Sequence, residues 1–274
     1  MATPLFSPKS LYWRVNREWL IALAGPRALL LELAHPAIAA GVAQHSNYRG
    51  DPFGRLYRTM KTMTEISFGT EAEMRDALKH FFKCHARVRA TADDERRTTI
   101  EYDARDAGLQ VWVLATLIDS VLRVFEKFVA PLTFADKCAY YDDCVRLARV
   151  LGISPAAIPN SYDTFCAYMG AMLSADVLCV TQNARDIVDA LFAPTPRGYA
   201  TRWFSFVGIG MLPPRVRAEY GFGWDDAREK NLERFAHLAR RVRPWIPHAL
   251  AIHPKAYQME KFFGHGKELK SCKA

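Results

Sequence analysis

Residues 79–90 read KHFFKCHARVRA, a half-cationic, half-aromatic segment holding the imidazole of His85. At helical spacing Leu78, Phe81, Phe82, Val88 and Ala92 fall within about 60 degrees of His85, whereas His80, Lys83 and Arg87 fall elsewhere. The spacing predicts a histidine in the middle of an apolar stripe. A ring buried there must find a hydrogen bond or a metal ion, because an unpaired buried polar group costs ~1–3 kcal/mol. His80 cannot share that metal, since five positions along a helix it points about 140 degrees away.

A second group lies upstream. Arg55, Arg58, Thr59 and Thr62 share about 100 degrees of helical arc, two guanidiniums and two hydroxyls on one side. A solvated face is the plain reading of such a set. The opposite side is polar too, with Tyr57, Lys61, Thr64 and Glu65, so part of the first set is expected to line an internal polar site. Glu32 and His35 form a third candidate, the E-x-x-H spacing of di-iron carboxylate bundles. That chemistry needs a second copy and further glutamates, and the sequence shows no second copy; His35 before Pro36 then reads as a helix-terminal hydrogen bonder. No H-E-x-x-H, C-x-x-C-H, G-x-G-x-x-G, Walker loop or G-x-S-x-G occurs. What remains matches the parts of a haem pocket: a neutral imidazole for iron, arginines for propionates or bound oxygen, and apolar walls supplied by the segment GLQVWVLATLI with Trp112 and Thr116.

The elements that must position these groups are helical throughout. SPKSLYWRVNREWLIALAG reads as one helix stopped by Gly25 and Pro26, followed by PRALLLELA, ended by Pro36. Thr70 and Glu73 form a capping box ahead of the His85 helix. Residues 93–105 are charged and loop-like, and the segment beginning DAGLQVWV is apolar around most of its circumference, as befits a helix that others pack around. No internal repeat or low-complexity linker appears, so residues 1–274 are expected to form a single all-α domain. Half of the 274 residues are hydrophobic, and the net charge of +8 is spread among interleaved acidic residues, without the basic stripe of a nucleic-acid binder. RRVRPW and the tail after residue 255 are the local exceptions, read as solvated cationic surface with peripheral membrane contact as the rival. The six cysteines form no C-x-x-C pair and the first residues carry no secretory signal, which predicts reduced thiols in the cytoplasm. Residues 20–43 are interrupted by charges and prolines, and the uncharged run near Trp112 stops at Asp119, short of the ~18 residues a bilayer needs, so no transmembrane span is expected.

Together WRVNREWLIALAGPRALLLELAHPAIAAGV, HSNYRGDPFGRLYRTM, the Phe68–Gly69 pair, HARVR, YDARDAGLQVWVLATL and GMLPP resemble, in order, the rubber oxygenase catalytic-domain family, which includes the latex-clearing proteins and a fungal oxygenase of mycophenolic acid biosynthesis. The resemblance spans about residues 11–255. It implies an all-α, globin-like fold holding non-covalent haem b, and oxidation or cleavage of an apolar, isoprenoid-like substrate by molecular oxygen. It makes His85 the iron ligand, as the histidine of HARVR, and aligns Arg55, Arg58 and Thr59 with the family's distal Arg-x-x-Lys-Thr. Arg89, one turn on, then pairs with a propionate, and Phe82, Trp112 and Thr116 line the pocket. Two residues depart from the pattern. Arg58 replaces a lysine that can occupy the sixth position on iron, and a guanidinium stays protonated. Leu114 stands where the family commonly has histidine in WVHATL. A haem-binding protein without turnover and a di-iron oxidase are the rival readings.

Overall fold

Ser10 accepts a hydrogen bond from the Trp13 amide and starts α1 (Leu11–Asn16). The long first helix expected from the sequence is broken at Glu18, whose backbone is extended and bridges to Ile252. Arg243 holds the buried Glu18 carboxylate at 2.6 and 2.8 Å. A 3-10 turn, Trp19–Leu23, then leads into α2 (Ala24–Leu33). Gly25 and Pro26 therefore open a helix where the sequence reads a stop: in the first turn the missing proline N–H has no helical partner to lose. Pro36 begins α3 (Pro36–His45).

The computed structural model describes residues 4–46, 50, 52–86, 88–93, 99–192 and 199–271. After α3 come α4 (Pro52–Phe68) and α5 (Glu71–His85). Gly69 and Thr70 turn the chain between them; a Cβ at Gly69 would collide with the Glu65 carbonyl oxygen. Thr70 and Glu73 cap α5 reciprocally, as their spacing predicts. Within the expected loop 93–105, residues 99–103 form a strand instead, and residues 94–98 lie outside the described residues. Arg89–Asp93 (β1) pairs antiparallel with Thr99–Asp103 (β2), Arg89 opposite Asp103. Thr99, Ile100 and Tyr102 favour extended backbone, and α3 gives the pair a surface: Gly41 leaves room for the Tyr102 ring, whose Cδ1 would lie 2.5 Å from a Cβ there.

Asp106 caps α6 (Ala107–Phe128), and α7 (Phe134–Val150) and α8 (Tyr162–Ser174) follow. Then come α9 (Gln182–Phe192), α10 (Tyr199–Gly210) and α11 (Pro214–Glu219). Next are α12 (Asp226–Val242), extended by the 3-10 turn Arg243–Trp245, α13 (His248–Ala251) and α14 (Pro254–Ser271). Among the described residues the fold is all-α, with one pair of short antiparallel strands.

α6 is the axis of the core, with α1, α2, α7 and α12 packed around it. By length and composition it could cross a bilayer, but 61% of its most apolar window is buried by those neighbours. Asp119 does not end its run, because the charge is neutralised inside the protein. Arg27 on α2, 1% exposed, reaches Asp119 at 2.6 Å, the Ser120 hydroxyl at 2.7 Å and the Met211 carbonyl at 2.8 Å. One guanidinium thus locks α2, α6 and the GMLPP turn after α10, with each donated hydrogen bond compensating its desolvation. α2 runs antiparallel to α6, which brings Glu32 to Thr116.

Candidate active site

α4 and α5 form a hairpin with a two-residue turn, so positions equidistant from Gly69 and Thr70 lie side by side. The first turns of α4 therefore stand next to the last turns of α5. The hairpin is anchored at its closed end, where Ile66, Phe68 and Ala77 are buried and Lys255 of α14 holds Glu73 at 2.6 Å. At the open end packing stops. Positions 57–61 are exposed in succession, as are 82–86, although the Phe82 ring lies close to Gly152 at the end of α7. Those positions are not all polar: Tyr57 is 69%, Met60 44% and Phe82 45% exposed.

His85 lies at this open end. Of the apolar stripe expected around it, Leu78 and Phe81 are half-buried, but Phe82 and His85 are exposed, and α5 ends at His85, so Val88 and Ala92 lie beyond the helix, the latter in β1. The physical reason is that α5 packs chiefly against α4, and its contact with the core ends at Ala77 and Leu78, two turns before the histidine. The His85 Nδ1 is 2.8 Å from the Phe81 carbonyl oxygen. A carbonyl can only accept, so Nδ1 is the donor, and in the neutral imidazole that tautomer leaves the lone pair on Nε2. The imidazole is further held on the Phe81 ring, centroids 4.2 Å apart. A metal-ligating histidine needs this second contact to set its tautomer and orientation.

Arg58 and Thr59 are exposed on α4 beside this end; Arg55 belongs to the same helix, its side chain outside the described residues, as does residue 87 of HARVR. Arg89 opens β1, with its Nε 3.0 Å from Asp103 and its carbonyl bound by the His45 ring. Arg105 shares that carboxylate at 2.9 Å. Trp112 and Thr116 are placed differently. Both have no exposed surface and face α2 inside the core; Thr116 donates to the Val113 carbonyl at 2.8 Å and stands 3.4 Å from Glu32. Arg58, Thr59, Phe82 and His85 thus lie on the open half of the α4–α5 hairpin, Arg89 opens the strand that follows α5 and packs on α3, and Trp112 and Thr116 lie in the core on α6. α6 is surrounded by helices, so its inward residues meet protein on every side.

Among the described residues, Nε1 of Trp112 and Nδ1 of His35 are buried without a hydrogen-bond partner, as is Nε of Arg17; His35 follows α2 and Trp112 lies on α6, the two helices that also hold Glu32 and Thr116. Burial lowers the His35 pKa, an effect that Asp106 partly opposes. Spacing signals Glu32 and His35, but among the described residues no group of three or more His, Cys, Asp or Glu side chains comes together to hold a metal. The di-iron arrangement therefore lacks its ligands among them. Leu114 is buried and lines a narrow apolar crevice with Val111, Ile118, Tyr141 and Phe165. The position that commonly carries histidine in the resembled family is here a packing position.

A family model described as "ER-bound oxygenase mpaB/B'/Rubber oxygenase, catalytic domain" matches residues 13–241. Uncharacterised proteins of Mycobacterium bovis and Mycobacterium tuberculosis are each 27% identical over 230 residues, covering 80% of this chain and 88% of the relative. No solved structure matches significantly.

Proposed function

From the premise that this chain belongs to the mpaB and rubber oxygenase catalytic-domain family, and so is an oxidoreductase of the oxygenase kind, we propose that it is a haem b-dependent oxygenase of apolar, unsaturated, isoprenoid-like substrates. The observation that carries the reading is the open end of the α4–α5 hairpin. There a histidine with its Nδ1 proton committed to a backbone carbonyl leaves Nε2 for iron, beside an arginine, a hydroxyl and exposed apolar side chains that a large flat ligand would cover. The donor set fits one imidazole-held haem. When bound, haem b supplies the iron that activates molecular oxygen toward a carbon–carbon double bond or an allylic position.

The chain's own residues do the rest. His85 would hold the iron through Nε2, and a hydrogen bond from Nδ1 to the Phe81 carbonyl would raise the basicity of the ring and fix its orientation. Arg89, its Nε on Asp103, keeps its terminal nitrogens for a propionate. Arg58 and Thr59 of α4 would supply hydrogen-bond donors to an oxygen atom that gains negative charge in the reaction. Arg58 stays protonated and acts as a donor, never as an iron ligand. Phe82, Tyr57 and Met60 exclude water once covered. Free thiols at Cys84, Cys138, Cys144, Cys166 and Cys179 suit a cytoplasmic setting.

The test is the absorption spectrum of the protein supplied with haem. A Soret band is expected; the His85→Ala variant loses it, and added imidazole restores it. Full haem binding by His85→Ala overturns the assignment of the ligand. Oxygen uptake with a panel of isoprenoids separates turnover from haem binding alone.

A further inference from the structure

The outer face of α12 is unlike that of an ordinary solvated helix. Its inner face is well seated: Leu232 and Ala236 are buried, and Phe235 packs on Phe128 and on Trp203 at 5.3 and 5.5 Å between centroids. On the opposite side, Arg234, Leu238, Arg241 and Trp245 follow one another at spacings of four, three and four and so lie in one line along the surface, with Val242 beside it. Leu238 is 58%, Val242 43% and Trp245 85% exposed, and Leu250, just beyond, is 70% exposed. From Arg234 to Met259 the chain has no acidic residue. Among the described residues Arg240 and Arg241 make no ion pair, whereas Arg243, turned inward, is fully engaged by Glu18.

We infer that this face docks onto an anionic lipid surface, with Trp245, Leu238, Val242 and Leu250 entering the interface and Arg234 and Arg241 meeting lipid phosphates. The chemistry commits to that occupant. Tryptophan is amphipathic and favours the headgroup boundary, and interleaved arginines add attraction to acidic lipids. A second copy is the poorer occupant, because a two-fold interface would set the unpaired arginines of each copy against those of the other. The inference stands independently of haem and of the reaction at the hairpin.

Sedimentation of the full chain with vesicles tests it. Binding is expected to phosphatidylcholine vesicles that contain phosphatidylserine, weakly or not at all to phosphatidylcholine alone, with release as salt rises. Arg234→Gln and Arg241→Gln each weaken binding about fivefold. Trp245→Ala weakens it and abolishes quenching by brominated lipid. These side chains are exposed, so circular dichroism should show every variant folded. Equal binding to both vesicle types, no binding to either, or unchanged binding by the variants overturns the inference. So does a concentration-dependent dimer, seen in size-exclusion chromatography, that Trp245→Ala dissolves, which would give the face to a second copy.

Discussion

His85 is decided by one hydrogen bond. Its distance from the Phe81 carbonyl, 2.8 Å, selects the tautomer that leaves Nε2 able to accept iron. Arg27 is the most consequential side chain outside the site. Arg27→Ala leaves Asp119 paired only with the exposed Arg123 and orphans the Ser120 hydroxyl and the Met211 carbonyl. A loss of about 3–5 kcal/mol is expected, read from the urea midpoint. Histidines give the pH dependence. Burial lowers the pKa of both His35 and His253 below 6.5 in the folded protein. As pH falls through 6.5 the unfolded chain takes up protons that the folded chain refuses, so stability declines from there down toward the folded values. Thermal melts between pH 7 and pH 5 check the sign, and His253→Gln should flatten the decline.

Among the elements, the hairpin β1–β2 is the one that α3 positions. Gly41→Ala places a methyl group against the Tyr102 ring. Overpacking of this kind is expected to cost about 1–3 kcal/mol. A urea titration reads the cost, and because β1 carries Arg89, haem affinity should fall with it. The capping box at Thr70 and Glu73 was legible in the sequence because it depends on neighbours three positions apart. The break at Glu18 was not, since it depends on Arg243 and Ile252, more than 200 positions away. The same holds for β1 and β2, whose charged, weakly alternating sequence becomes strand because α3 offers a flat small-residue surface.

At the scale of the whole molecule, a helical core around α6 carries a hairpin, α4–α5, that is seated at one end and bare at the other. A ligand that covers the bare end binds the folded chain alone and must raise its stability by mass action. Haem is therefore expected to raise the melting temperature in a concentration-dependent way and to protect residues 57–61 and 82–86 from proteolysis. His85→Ala should abolish both effects.

By itself the sequence determined the helical class, the caps of α5, the ordered motifs that tie the chain to its family, and the side-chain chemistry at Arg58, Thr59 and His85. All of these rest on residue type and on spacing within a few turns. Only the tertiary structure decided that His85 and Phe82 stand outside the core while Trp112 and Thr116 are sealed inside it, and that Asp119 is the half-buried partner of the buried Arg27 and not the end of an apolar run. Burial is set by which helices meet, and helical periodicity defines a stripe without defining how far along it the neighbouring helix reaches.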